Sequence, residues 1–430
     1  SLPLYTIRHS MITLEIPIGL AEIEASRQRI ARAVRHTDLI RSEVFSRQCG
    51  AELYLKLENL QSTGSFKIRG AFNKLAWLME QPLDKRPKGV IAVSAGNHAQ
   101  GVASAAATCG VPATVVMPLG ASLTKIRACQ EMGATVLQRG ATLEEAFEEA
   151  MRLAAEHDYF FMHPYNDWQV IAGQASVGLE VLEDLPEVET VVAPVGGGGL
   201  LAGIALALKL KKPSVRVIGV QTEAISPYFG FIQSGQFSPV QADAITIADG
   251  IRVKLPGDKN AAIIRRYVDD IITVSDSQIS EAIVALMERT HTLTEGAGAV
   301  GLAALLHHKI PVRPDEKVVT ILSGGNIDVT LVGRIIDFGL VSSGRYLVIA
   351  LILPDRPGQL VRLLSIIAEL GMNIRQIEHR RGEMHVPVGL SEVILQVETK
   401  DQAHQQQLLN QFKAEHLEVR NLTKVVGLYH

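Results

Sequence analysis

Cysteine is scarce: Cys49, Cys109 and Cys129 are the only three in 430 residues, and they form no CxxC pair. An odd, scattered set excludes a disulfide framework and a cysteine zinc site, and fits a reducing, cytoplasmic setting. An excess of charge of one sign is also missing. Lys+Arg number 42 and Asp+Glu 45, for a net charge of −3, so there is no electrostatic footprint for nucleic acid or an anionic membrane. Low-complexity tracts and short-period repeats are absent, and a hydrophobic fraction of 47% excludes a disordered chain. The segment SLPLYTIRHSM lacks an apolar core followed by a small-residue cleavage site, so no secretory signal is expected, and Met11 is a candidate native start.

Long apolar runs are rare as well. One uncharged stretch, TVVAPVGGGGLLAGIALAL over 190–208, has 19 residues and approaches the length of a membrane span. Pro194, four consecutive glycines and Gly203 interrupt it. A strand, a glycine loop and a buried helix explain it better, because lipid-exposed backbone would not tolerate the break.

What is present is alternation. At roughly 100–200 residues per domain, the length implies two or three domains. From about residue 56 to 338, short apolar runs over 90–93, 113–117, 135–137, 190–195, 215–220, 271–274 and 318–322 read as strands. They are almost wholly apolar, as parallel strands covered on both faces are. Helices lie between them, with capping boxes expected at Thr142/Glu145 and Ser275/Gln278. This pattern predicts a doubly wound α/β architecture. After the linker SSGR at 342–345 the order changes to strand 346–353, turn PDRPG, helix ending at Gly371, strands 373–378 and 392–398, a helix from Asp401, and a last strand at 417–419. That βαββαβ order is the ferredoxin-like unit.

Four motifs sit at strand–helix junctions or beside them. In GGGGLLA, Gly197, Gly199 and Ala202 satisfy G-x-G-x-x-A, and Glu223 follows Gly199 by 24 residues, as in a dinucleotide fingerprint. The same loop also suits a single phosphate enclosed by backbone amides at a helix N-terminus, or a tight structural turn. In SFKIRG, Lys67 lies between an aromatic and an apolar residue, where lost hydration would lower its pKa and make it a Schiff-base nucleophile; a surface lysine is the plain alternative. In SAGNHAQG, Ser94 and Asn97 could hold a carboxylate at a helix start, or Ser94 could simply cap it, and His98 reads as structural. SGGN, from Ser323, closes a strand at its carboxyl end, where open α/β sheets bind ligands.

Together, in this order, the motifs resemble those of the pyridoxal-phosphate enzymes of the tryptophan synthase β-subunit fold, and among them the threonine dehydratases (threonine ammonia-lyases), over about 16–340. PDRPGQL and GMNI give the remainder a resemblance to an ACT domain. The resemblance implies a two-lobed, doubly wound catalytic domain over 1–341 and a ferredoxin-like ACT domain over 346–430. It implies pyridoxal 5'-phosphate held by Lys67, with Phe66 against its ring and Asn97 at the ring oxygen. Gly196, Gly197, Gly198, Gly199 and Leu200 would meet the phosphate, and Ser323 the pyridine nitrogen. Ser94, Asn97, Ser62 and Gly64 would receive the substrate carboxylate, with Glu295 in support. The expected reaction is β-elimination on an amino acid: L-threonine to 2-oxobutanoate and ammonia, with L-serine to pyruvate beside it. An amino-acid effector, isoleucine or valine, is expected at an ACT–ACT interface near Pro357, Gly358, Asn373 and Ile374, within a homo-tetramer or dimer.

Two departures bear on the expectation. Racemising relatives carry a second serine after the match to Ser94, where this chain has Ala95, and relatives with a divalent cation have an acid where this chain has Phe229. An NAD-dependent oxidoreductase, a racemase and a catalytically silent amino-acid sensor remain the rival expectations.

Overall fold

A computed structural model describes residues 14–241, 243–381 and 386–423. The chain forms two compact units, one ending at Asp328 and one beginning at Val329. Strands are numbered in chain order. In the first unit, a six-stranded sheet runs β1 (Leu39–Arg41), β2 (Glu52–Lys56), β10 (Lys317–Ile321), β7 (Thr190–Pro194), β8 (Arg216–Thr222), β9 (Asp270–Val274), parallel throughout except for β1 against β2. A second, wholly parallel sheet runs β5 (Thr135–Gln138), β4 (Ala113–Met117), β3 (Val90–Val93), β6 (Phe160–Phe161). The chain starts in the larger lobe, builds the smaller one, and returns.

The strands expected from apolar runs all form, and β7 is buried at every position. Strands β1, β2 and β6 were not foreseen; β1 and β6 are too short to show a period, and β2 (ELYLK) carries charge at both ends. The uncharged 190–208 stretch becomes β7, a glycine turn, and the helix Gly199–Lys211, buried from Gly199 to Leu208. Among the described residues no helix is long and apolar enough to cross a membrane.

The capping box at Ser275 forms in full: its hydroxyl accepts from the Gln278 amide at 3.3 Å and the Gln278 side chain accepts from the Ser275 amide at 3.0 Å. The one expected at Thr142 forms only by half. Its hydroxyl accepts from the Glu145 amide at 3.2 Å, but Glu145 turns to the Ala141 amide at 2.6 Å, because Gly140 (φ +76°) folds the chain back onto it.

The helix Lys67–Met79 is wedged between two others. A Cβ on Gly173, in the helix Trp168–Asp184, would come within 2.5 Å of the Arg69 carbonyl oxygen. One on Gly101, in the helix Asn97–Cys109, would lie 3.2 Å from the Lys67 carbonyl carbon. Behind it, Arg69 is fully buried and bridges Glu58 (2.7 Å) and Glu180 (2.6 Å), and buried Lys56 joins Glu180 at 2.7 Å.

The second unit holds the helix Val329–Ser342 and then an antiparallel sheet ordered β12 (Asn373–Arg380), β13 (Leu390–Glu398), β11 (Tyr346–Pro354), β14 (Val419–Asn421). The helices Gln359–Glu369 and Gln402–Ala414 complete the βαββαβ order and pack Leu363, Ile367, Leu408 and Phe412 into its core. The last strand starts two residues later than expected, because His416 (φ +56°) ends the helix and turns Leu417 toward that core.

Candidate active site

The motif residues converge in the first unit at the carboxyl ends of β3, β7 and β10, where the chemistry of open α/β sheets lies. Leu322 donates to the Lys56 carbonyl, Phe66 to the Ser323 carbonyl at 3.1 Å and Gly325 to the Gly64 carbonyl at 2.8 Å, so SFKIRG and SGGN are stitched side by side. Gly64 has φ +75°, and a Cβ there would strike the Asn326 side chain.

Lys67 opens its helix. Its amine donates to the Pro164 carbonyl at 3.0 Å and lies 5.2 Å from the centre of the Phe66 ring. Burial lowers its pKa to about 8, with the Glu295 carboxylate acting in the opposite direction. The amine is therefore far easier to deprotonate than an ordinary lysine's, which matches the desolvated rather than the surface reading of SFKIRG.

Asn97 is the first residue of the helix that follows β3. Its Nδ2 donates to both Glu295 oxygens (2.8 and 3.0 Å), and its Oδ1 accepts from Asn326 Nδ2 at 2.8 Å. Glu295 is 5% exposed; burial, then Asp249, raises its pKa to about 7, against the pull of Asn97 and the Lys125 and Lys67 charges. Ser94 Oγ accepts from the Gly96 amide at 3.1 Å. Ser323 is 2% exposed, and its hydroxyl has no partner among the described residues.

The glycine turn lies against Tyr165, Tyr228 and Asn260. A Cβ on Gly197 would overlap the Tyr165 ring at 2.4 Å, and one on Gly198 (φ +100°) the Tyr228 hydroxyl at 2.6 Å. Tyr228 Oη and Asn260 Nδ2 both donate to the Gly197 carbonyl (3.2 and 3.0 Å). The carbonyl side of the turn is thereby occupied. The Gly196, Gly197 and Gly198 amides pair with no backbone carbonyl among the described residues, and Gly199 and Leu200 add first-turn helix amides.

Of the expected carboxylate residues, Gly64, Ser94 and Asn97 gather here. Ser62 is exposed and its hydroxyl donates to the Ala33 carbonyl at 3.1 Å. Beside it, the Thr63 and Ser65 hydroxyls are buried without a partner among the described residues. Thr63 lies within the 62–64 segment expected at the carboxylate, whereas Ser65, Asn326, Tyr165 and His163 had no role assigned from sequence; the last letter of SGGN and the polar HPYN run after β6 were the available signals. Glu223 is paired with Lys309 at 3.0 Å, and that amine also donates to the Thr273 carbonyl at 2.9 Å.

These residues fit the expected cofactor. A desolvated lysine lies beside an aromatic ring, an array of amides with no backbone acceptor among the described residues suits a phosphate, and the buried Ser323 hydroxyl is of the kind that would suit a ring nitrogen.

In the second unit a cleft of about 340 Å³ is lined by Pro357 and Gly358 with Arg356, His379, Arg381 and Ser391. Asn373 and Ile374 lie at the other end of the same sheet: Asn373 faces Glu398 on β13, whereas Pro354 faces Leu390. One copy of the chain does not bring the four together.

A family model described as pyridoxal-phosphate dependent enzyme matches residues 30–324, and an ACT domain model matches residues 347–416. The chain is 46% identical over 410 residues to the L-threonine ammonia-lyase of Thermotoga maritima, covering 95% of this chain and 99% of that protein. Among solved structures, a T.th. threonine deaminase is similar with a TM-score of 0.67 at 40% identity, covering 72% of this chain and 99% of that one. Maize serine racemase is similar with a TM-score of 0.69 at 33% identity, over 74% of this chain and 96% of that one.

Proposed function

Because the chain belongs to the pyridoxal-phosphate dependent enzymes and carries an ACT domain after the catalytic region, we propose that it is an L-threonine ammonia-lyase. The observation that carries this is Lys67, a desolvated lysine set between the Phe66 ring and the Pro164 carbonyl in a chain so similar to an enzyme of that name. Threonine loses its hydroxyl as water, and the released enamine takes up water to give 2-oxobutanoate and ammonia. L-Serine gives pyruvate by the same route. Bound pyridoxal phosphate supplies the electron sink that makes the substrate α-proton acidic.

The protein's part follows from its side chains. Lys67 would hold the cofactor, and its Nζ, with a pKa near 8, is suited to take the α-proton near neutral pH. Asn97, its amide oriented by Glu295 and Asn326, would meet the ring oxygen. The amides of Gly196, Gly197, Gly198, Gly199 and Leu200 would hold the phosphate, and Phe66 would pack on the ring. Ser323, a neutral donor, cannot stabilise a protonated ring nitrogen as a carboxylate would, which favours expelling a β-hydroxyl over prolonged charge storage in the ring. Ser94, Gly64 and the Thr63–Ser65 turn would receive the substrate carboxylate, with Ser62 in the same segment. Ala95 offers no hydroxyl to reprotonate the opposite face, so racemisation is disfavoured.

The functional division proposed is a catalytic domain over 1–341 and a regulatory domain over 346–430. An amino acid, isoleucine or valine, would act at the Pro357–Gly358 cleft completed by Asn373 and Ile374 of a second copy, in a dimer or tetramer. The separation of these residues in one chain supports that arrangement. A cytoplasmic role in isoleucine biosynthesis accords with it. The test is a keto-acid assay on threonine and serine, with and without branched-chain amino acids. Lys67→Ala should abolish both 2-oxobutanoate and the visible absorption band that pyridoxal phosphate gives with the unaltered protein. A protein that takes up no cofactor, or a variant that retains activity, would sink the assignment.

A further inference from the structure

The loop between β6 and the helix Trp168–Asp184 has one side chain at its centre, His163. We infer that His163 is a positioning residue for Lys67, acting through the single peptide group between Pro164 and Tyr165. The carbonyl of that group accepts from the Lys67 amine at 3.0 Å. Its N–H, on the Tyr165 side, donates to His163 Nδ1 at 3.2 Å, and the next amide, of Asn166, donates to the same nitrogen at 2.9 Å. In a trans peptide the N–H and C=O point to opposite sides, so the ring holds one edge of the plane and the lysine is bound at the other.

Two amide protons converging on Nδ1 require a lone pair there, so the ring is neutral with its proton on Nε2. The surroundings keep it so. Burial lowers the His163 pKa to about 4; Lys67 and Lys259 act with burial, and Asp167 and Asp258 against it. The ring is packed edge-on between Phe161 and Tyr165, with centroids 6.2 and 4.7 Å away. The loop is tied at both sides of this contact: His98 Nε2 lies 2.8 Å from the Met162 carbonyl, and Asn260 Nδ2 donates to the Tyr165 carbonyl at 3.1 Å. The Tyr165 ring backs Gly197, and the Tyr165 Cβ and backbone back Gly199, so the same fixed peptide also sets the rear wall of the glycine turn.

The claim concerns one lone pair, which allows a sharp test. Asparagine places an oxygen on Cγ where histidine has Nδ1, glutamine places it one atom further out, and leucine has none. Native, His163→Asn, His163→Gln and His163→Leu proteins, full length and free of cofactor, are labelled with acetic anhydride across pH, and acetylation of Lys67 is read by peptide mass spectrometry. The native and asparagine proteins should share a midpoint near 8. The glutamine and leucine proteins should fall by about one pH unit, because the ammonium has lost a fixed acceptor. Uptake of added pyridoxal phosphate should slow by about ten-fold in those two alone, with far-UV circular dichroism unchanged.

An asparagine protein that behaves like the leucine one, or a leucine protein with the native midpoint, would overturn the proposal. If the leucine variant does not fold, the asparagine–glutamine contrast decides. The catalytic meaning rests on Lys67 being the cofactor lysine. The labelling does not, so a native protein that takes up no pyridoxal phosphate would overturn that assignment while the midpoints still decide the role of His163.

Discussion

In the unit that ends at Asp328, Arg69, Lys56 and Glu58 are fully buried, Arg69 and Lys56 meeting at Glu180 and Arg69 also holding Glu58, and in the same unit Lys67, His98, His163 and Glu295 have pKa values pushed toward their neutral forms. In the unit from Val329 onward, the ion pairs among the described residues have at least one solvated partner: Arg375–Asp337 lies at 41% and 52% exposure, and buried Glu392 is met by Arg420 at 61%. Two kinds of sheet go with this. Parallel strands covered on both faces leave charge nowhere to go but inward or to the strand ends, where it must be paired or neutralised; an antiparallel sheet with one open face can leave its charge in water. The chemistry sits in the unit where ionisation is controlled by burial.

The largest effect that could break this contrast is at Arg69. Arg69→Ala leaves Glu58 as a buried, uncompensated carboxylate and Glu180 with Lys56 alone, and should cost about 3–5 kcal/mol, seen as an early thermal transition of the full chain. A neutral result would mean that the buried network is not needed to hold the helix that carries Lys67.

Acid should sharpen the contrast next. His98 titrates at about 3 and His163 at about 4 in the folded chain, so below their ordinary value near 6.5 the unfolded chain binds protons that the folded chain does not, and stability is lost as pH falls. Glu295, raised to about 7, works with the opposite sign between its ordinary value of 4.5 and 7, offsetting one of the two histidines there. Stability of the first unit should therefore fall on going from about pH 6.5 to 4, measured by hydrogen exchange of its peptides with those of the ACT unit as internal reference. His98→Gln, which can keep a donor to the Met162 carbonyl, should flatten that slope by about 1.4 kcal/mol per pH unit. An unchanged slope would remove His98 from the account.

The smallest effect belongs to the other side of the comparison. Arg375→Ala should change stability by less than about 1 kcal/mol, as exposed pairs do. If it costs as much as Arg69→Ala in denaturant titrations, the distinction between the units fails.

Much of this was legible beforehand, and the limits have physical causes. Apolar runs located β3, β4, β7 and β10 because a strand covered on both faces has one possible composition. Lys67 and the glycine turn stood out only through the conjunction of four motifs and the resemblance it carries, because locally a lysine beside Phe66 also suits a surface and a run of glycines also suits a dinucleotide or a plain turn. Asn97 could be assigned from its motif, but not its bonds to Glu295 and Asn326, which lie 198 and 229 residues away. The burial of Lys56 and Arg69 has no local signal, because the Glu180 that closes over them lies more than a hundred residues away. His163 was invisible for a different reason: its function lies in one nitrogen's lone pair, which leaves no periodicity or spacing in the chain.

The wedged helix that begins at Lys67 has a consequence for motion. With the Gly173 contact leaving no room for a methyl group and the Gly101 contact leaving little, the backbone that carries the lysine is closely held on two sides. On the proposed role, whatever travel the amine would need between holding a cofactor and moving a proton would fall mainly to its own four-methylene arm, swinging about a closely held pivot. The working radius of the site is then the length of one side chain. A substrate whose α-carbon lies outside that radius is refused without any group dedicated to refusing it.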